Sequence, residues 1–202
     1  MLAARPLTDA DTLREVASIG FGRAVSALGQ LAGRTAGMDV PEARFANPAD
    51  DLSDLLEPLG GAVFAVGVEL GGFLGGHLAL ALPEPDARRL AALLGQRVPP
   101  EGWDPLSESA ILEAGNIVGS AFVSAVGRLT GATLLLSVPR LARGSGRACL
   151  EALGDDLAGR VALATRFSLR AGERDAAGIS GLVLAVPDPD RIKDLLAALP
   201  GY

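Results

Sequence analysis

Ser109, Glu113 and Asn116 stand at i, i+4 and i+7 in the chain. At about 100° per residue, that spacing lines up a hydroxyl, a carboxylate and a carboxamide along one side of a helix. A carboxamide both donates and accepts hydrogen bonds, so such a row can hold a water or a polar group of a partner. Ser120 extends the row, and Gly127 continues it without a side chain, which leaves room for a close approach. Over residues 107–131, Ile111, Val118, Phe122, Ala125, Val126 and Leu129 gather on the opposite side, the pattern of an amphipathic helix. A polar helix face is ordinarily solvated surface. Here the chain carries the row twice.

An offset of 98 residues sets Asp11 on Ser109, Glu15 on Glu113 and Ser18 on Asn116. The same offset aligns Val25-Ser26-Ala27-Leu28-Gly29 with Val123-Ser124-Ala125-Val126-Gly127, and Val40-Pro41 with Val138-Pro139. After six inserted residues, Pro83-Glu84-Pro85-Asp86 meets Pro187-Asp188-Pro189-Asp190. Two copies of this length are too few and too long for a solenoid. The expected organisation is one domain over residues 1–202, built from repeats at about 8–96 and 104–200.

The elements that must position the row follow from local signals. A helix is expected over residues 11–31, capped by Thr8 or Asp9 and ended by Gly33. Residues 38–45 read as a short strand with Pro41 at an edge or bulge. Residues 50–59 read as a short acidic helix, 62–69 and 73–82 as a hairpin turning at glycines, and 85–94 as a helix with proline in its first turn. Residues 97–102 form the linker. The second half repeats the order: a helix over 106–130, a strand over 134–141, a short helix at 146–153, strands at 157–169 and 179–186, and a final helix at 189–199. Hairpins favour antiparallel pairing. The expected fold is α+β: pseudo-two-fold αβ halves forming one continuous antiparallel sheet of about six strands, with two long motif helices and further helices packed against it.

Composition excludes several function classes. The formal charge is −6 with both signs interspersed, which disfavours a nucleic-acid partner. A hydrophobic content of 49% excludes general disorder. Cys149 is the only cysteine, so no intrachain disulfide can form and a reducing compartment is the simpler reading. It reads as a small buried apolar residue rather than a nucleophile. No export signal is visible at the N-terminus. The most apolar stretch, residues 59–82, is interrupted by Glu69, His77 and two glycine pairs, so no membrane insertion is expected. The expected location is the cytoplasm.

Other chemistries find little support. The single histidine, His77, lies in an apolar strand, and no serine has a nucleophile-elbow context, so a Ser–His–Asp triad is disfavoured. No Cys/His cluster or calcium-type loop is present, and the acidic pairs Asp50-Asp51 and Asp155-Asp156 read as helix-start acids. The glycines of residues 67–76 are followed by no lysine and open no helix, so they are hairpin glycines rather than a phosphate loop.

The run S-x-x-x-E-x-x-N, with a downstream V-P and a degenerate second copy, resembles the CheC-type chemotaxis phosphatases, the group of CheC, CheX and FliY. Their helix motif, [DS]-x-x-x-E-x-x-N with a proline downstream, stands here as Ser109-Glu113-Asn116 with Pro139, and partly as Asp11-Glu15-Ser18 with Pro41. The resemblance covers essentially the whole chain, and its length is most like CheC. It implies hydrolysis of the phospho-aspartate of the response regulator CheY. Glu113 and Asn116 would be the catalytic pair, Asn116 holding a water in line with phosphorus and Glu113 pairing with the regulator's lysine. Ser109, Asp11 and Glu15 would be docking or supporting contacts. The chain would need no cofactor of its own, with Mg2+ carried by the partner, a phosphorylated CheY-type receiver domain. Many family members also bind the receptor deamidase CheD, a further candidate partner.

Ser18 departs from the motif. Its hydroxyl is shorter than the asparagine amide, so the first-half site is expected to be weak or dead. The internal duplication supplies the symmetry of a dimer, and a monomer is expected. The alternative is a non-catalytic adaptor that binds a receiver domain or CheD. It is separated from the enzyme by Asn116, since catalysis needs the amide and binding does not.

Overall fold

Both halves run helix, two short strands, a small helical segment, hairpin and second helix in a computed structural model that describes residues 9–45, 52–152, 154, 160–172 and 178–199. The first half comprises α1 (Asp9–Ala32), β1 (Thr35–Met38), β2 (Glu42–Phe45), two 3-10 turns (Leu52–Leu55 and Glu57–Leu59), β3 (Val63–Gly72), β4 (Gly76–Pro83) and α2 (Glu84–Leu93). The second comprises α3 (Pro105–Thr130), β5 (Leu134–Leu136), β6 (Arg140–Gly144), α4 (Gly146–Glu151), β7 (Val161–Arg170), β8 (Ile179–Pro187) and α5 (Pro189–Ala197).

All strands join one antiparallel sheet, as expected. β4 pairs with β8 at the centre, and each hairpin's outer strand receives the short strands of the other half. β1 and β2 run in one lane along β7, while β5 and β6 run in one lane along β3. The expected strands at 38–45 and 134–141 are thus each broken in two. The break is a bulge. From Leu136↔Leu70 to Arg140↔Gly67 the edge strand advances four residues while β3 advances three, and Met38↔Phe167 to Glu42↔Ala164 does the same along β7. Proline cannot donate to the ladder, so it belongs where the extra residue is accommodated. The valines ahead of the two prolines are pushed outward: Val40 is 83% and Val138 82% exposed.

Strand alternation covers both faces. Phe64, Val66, Val68, Leu78, Leu80 and Val183 point to the larger core beneath α1, α2 and α3. Val63, Ala65, Ala79, Ala81, Leu182 and Leu184 point to a smaller one shared with the 3-10 turns and α4. Cys149 belongs to this second core, where its thiol donates to Val63 O at 3.5 Å and burial pushes its pKa up.

The helix ends have identifiable causes. α3 is capped by Asp104, whose side chain accepts from Ser107 N–H at 2.8 Å, and Pro105 occupies its first turn. Gly131, at φ +67°, ends α3 in the left-handed conformation, and Gly33, at φ +62°, stands in the same place after α1. The linker is pinned rather than loose. Arg88 donates to Pro99 O at 2.8 Å and to Gly102 O at 2.9 Å, and lies 5.2 Å from the centroid of Trp103, which stacks on Phe64.

One expectation changes here. The described part of residues 50–59 is 3-10 turns rather than one acidic helix, because the segment is short and Pro58 interrupts it. The stretch 59–82 is indeed a hairpin, with the turn at residues 73–75 between glycines of positive φ. α3 does meet the length and composition of a membrane-crossing helix, and in this fold its apolar side packs on α1, β3 and β5. Thr8, Asp50, Asp51, Asp155, Asp156 and the start of the strand expected at 157 lie outside the described residues.

Candidate active site

The row expected on α3 forms. Ile111, Val118, Phe122, Ala125 and Val126 are buried, which turns Ser109, Glu113 and Ser120 out to solvent and leaves Asn116 half-buried. Ser109, Glu113 and Asn116 line a shallow depression of ≈ 400 Å³ together with Leu112, Leu136, Ser137, Val138 and Pro139. The polar row thus faces the V-P bulge, and the two parts of the sequence motif meet in space. The side chains of Ser109, Glu113 and Asn116 make no hydrogen bond or ion pair to any described residue. Several other described acids differ: Asp11, Glu69, Glu84, Asp86, Glu108, Glu151, Asp188 and Asp194 are each in an ion pair. The half-buried carboxamide of Asn116 thus keeps its donors and acceptor free for water or for a docking partner.

The bulge is held from behind by Ser137. Its N–H donates to Glu69 O at 3.0 Å, its hydroxyl accepts from Glu69 N–H at 2.9 Å, and the same hydroxyl donates to Val138 O at 3.1 Å. Glu69 in turn pairs with Arg140 at 3.4 Å. Sequence reasoning missed Ser137, because nothing local marks a serine as standing in for a backbone carbonyl.

Close packing sets the depth of α3. A Cβ at Gly115 would fall inside Val66, and one at Gly119 would come within 3.2 Å of Leu136 Cδ1. Glycine at both places lets the helix lie directly on β3 and β5. Gly127 is a different case from the open approach expected of it: Ala132 O, the chain's own reversal after α3, stands 2.9 Å from where its Cβ would be.

In the first half, Asp11 and Glu15 are exposed and Ser18 is half-buried on α1. Asp11 is engaged by Arg14 at 2.9 Å. Arg14 occupies the position that matches Leu112. Away from both rows, His77 is half-buried in β4 opposite Glu69. Burial and the Arg160 charge lower its pKa, against smaller opposing effects of Glu69 and Asp188. Among the described residues no group of three or more His, Cys, Asp and Glu side chains could hold a metal ion.

No family model matches the chain. CheC of Bacillus subtilis, a CheY-P phosphatase, is 33% identical over 138 residues, covering 65% of this chain and 64% of that protein. CheC1 of Halobacterium salinarum is 25% identical over 191 residues, covering 93% of this chain and 94% of that protein. The chain is thus similar to CheC-type proteins in both comparisons. The stronger match therefore spans a little under two thirds of the Bacillus protein's length, and the weaker one nearly the whole of both chains.

Solved structures show that the CheC-type fold extends over nearly all of the chain. Thermotoga maritima FliY superposes with TM-score 0.67 at 19% identity, over 96% of this chain and 98% of that one. The middle domain of FliM from H. pylori gives 0.63 at 9% identity, over 95% and 98%. CheX in its complex with CheY, BeF3 and Mg2+ from Borrelia burgdorferi gives 0.51 at 19% identity, over 84% and 96%. At these identities the likeness concerns the fold alone.

Proposed function

We propose that this protein hydrolyses the phospho-aspartate of a CheY-type response regulator and that the second-half site carries the reaction. The observation behind this reading is the unpartnered pair Glu113 and Asn116, presented by α3 beside the V-P bulge. The Bacillus relative is a CheY-P phosphatase, and CheX, which shares the fold, has been solved bound to CheY.

An acyl phosphate is already activated, so hydrolysis needs an in-line water and stabilisation of the phosphoryl oxygens more than a strong base. The carboxamide of Asn116 accepts from and donates to that water, holding it behind phosphorus. Water oxygen bonds to phosphorus as the P–O bond to the regulator's aspartate breaks, releasing inorganic phosphate and a free carboxylate. Glu113 pairs with a lysine of the regulator and fixes the docked pose, and Ser109 supports it at the rim. Mg2+ sits on the regulator, where it neutralises phosphoryl charge. The encounter takes place in the cytoplasm.

The decay of a phosphorylated CheY-type receiver from the same cell, in Mg2+, tests the reading. Acceleration by catalytic amounts of this protein is expected. Intact binding without acceleration at saturating protein would leave the adaptor reading, which Ser18 in the first row and the FliM-like fold otherwise favour.

A further inference from the structure

Ser137 lies where an antiparallel ladder should exchange two backbone bonds with Glu69. Extending Leu70↔Leu136 by one residue brings Glu69 opposite Ser137. Only one of the two expected bonds is made by backbone, Ser137 N–H to Glu69 O at 3.0 Å. The other, from Glu69 N–H, goes to the Ser137 hydroxyl at 2.9 Å. That hydroxyl in turn donates a hydrogen bond to Val138 O at 3.1 Å, across the bulge. One side chain therefore replaces the ladder bond at the bulge and ties down the residue that turns Val138 outward. Ser137 also lines the depression that holds Glu113, Asn116 and Pro139. At the matching place in the first half stands Asp39, an acceptor-only side chain when ionised. Its N–H still donates to Arg166 O at 2.9 Å, but the hydroxyl at this bulge comes from β7 instead, Thr165 donating to Asp39 O at 2.8 Å, and no side chain there bridges to the outward valine's carbonyl among the described residues. The Ser137 bridge to Val138 O and the carboxamide occur in the same half.

We propose that Ser137 is a positioning residue for partner docking: its hydroxyl fixes the V-P bulge so that Val138 and Pro139 form a set rim for the phosphorylated receiver against Glu113 and Asn116. This rests on the receiver-binding part of the reading above. A bulge that must be ordered on docking costs affinity rather than the chemical step.

The test uses the full chain and a CheY-type receiver loaded with beryllofluoride and Mg2+, alongside turnover of the phosphorylated receiver. Ser137→Ala is expected to weaken binding and raise KM roughly three- to tenfold, with kcat within about twofold, the effect of one lost hydrogen bond and an unsatisfied amide. Ser137→Thr, which keeps the hydroxyl, should restore both values. A purely structural role would lower the thermal midpoint of Ser137→Ala in parallel and spare the KM-to-kcat split. Unchanged affinity and KM in Ser137→Ala would overturn the inference while leaving the phosphatase reading standing. If the wild-type chain binds but does not turn over, weaker binding by Ser137→Ala would still support it. A wild-type chain that neither binds nor accelerates decay overturns both.

Discussion

The two motif helices carry the same pattern and meet the sheet differently. α3 sets Gly115 and Gly119 against β3 and β5, with Val66, Val68 and Leu136 in the space that side chains would take. At the matching places α1 has Ala17 and Phe21, both buried, and Phe21 packs on Phe122 with ring centroids 5.5 Å apart. The rows differ in step. α3 offers Ser109, Leu112, Glu113 and Asn116 without internal polar partners, whereas α1 offers Asp11 already held by Arg14, then Glu15 and Ser18. The rims differ too, Ser137 and Arg140 in one half against Asp39 and Glu42 in the other. A duplicated fold can thus keep its topology and its outward valine at both bulges while the full Ser-Glu-Asn row stands in one copy.

The comparison can be broken most sharply at the paired glutamates. Glu113→Gln should cost about one to two orders of magnitude in kcat/KM for the phosphorylated receiver, because a charge pair at an interface loses one partner. Glu15→Gln should change it by less than about twofold. Equal losses at the two positions would erase the distinction between the halves.

Packing gives the next effect. Gly115→Ala forces a methyl into Val66 and should destabilise the chain by about 1–3 kcal/mol, read from denaturant unfolding, with activity falling as α3 is pushed outward. Ala17→Gly, the reciprocal change, should cost only about 1 kcal/mol from helix propensity and leave activity unaltered. A Gly115→Ala variant of wild-type stability would show that α3 does not depend on this close approach.

A smaller effect is expected from restoring the first row. Ser18→Asn alone should raise turnover by less than about twofold, since Arg14 still holds Asp11 and Phe21 still fills the space beneath α1. Adding Arg14→Leu should raise it further. A full doubling from Ser18→Asn alone would mean that the side chain, and not the helix position, silences that site.

His77 supplies the smallest. Leu182 faces Arg166 in β7 as His77 faces Glu69 in β3. Burial and Arg160 depress the His77 pKa below 6.5, so as pH falls from about 6.5 the unfolded state takes up the proton first and stability declines. His77→Leu should flatten that part of the acid limb, seen as a smaller drop in Tm between pH 7.5 and 5.5. An identical drop would assign it to other groups.

Much of this was legible in the sequence because it is local or periodic. The 98-residue offset, the amphipathic row, the hairpin glycines and the prolines at the edge strands each follow from one segment's own residues. What was not legible depends on contacts between segments. Gly115 reads as a helix-weakening residue until Val66 is seen beneath it, and Gly127 reads as an opening until Ala132 O fills it. Ser137 is an ordinary strand-end serine until the bulge removes the carbonyl it replaces. Residues 52–59 had helix-like composition, and only the tight packing of Leu55 and Leu56 on the second sheet face, with Pro58, makes them 3-10 turns.

The central claim is that one carboxamide, in one half, carries the reaction. The direct measurement is the decay rate of phosphorylated receiver at saturating protein for Asn116→Ala beside Ser18→Ala, with binding of the beryllofluoride-loaded receiver measured in parallel. Asn116→Ala should lose about two to three orders of magnitude in kcat while binding within a few-fold of wild type, and Ser18→Ala should match wild type in both. Asn116→Ala retaining its rate, or Ser18→Ala losing it, would contradict the account.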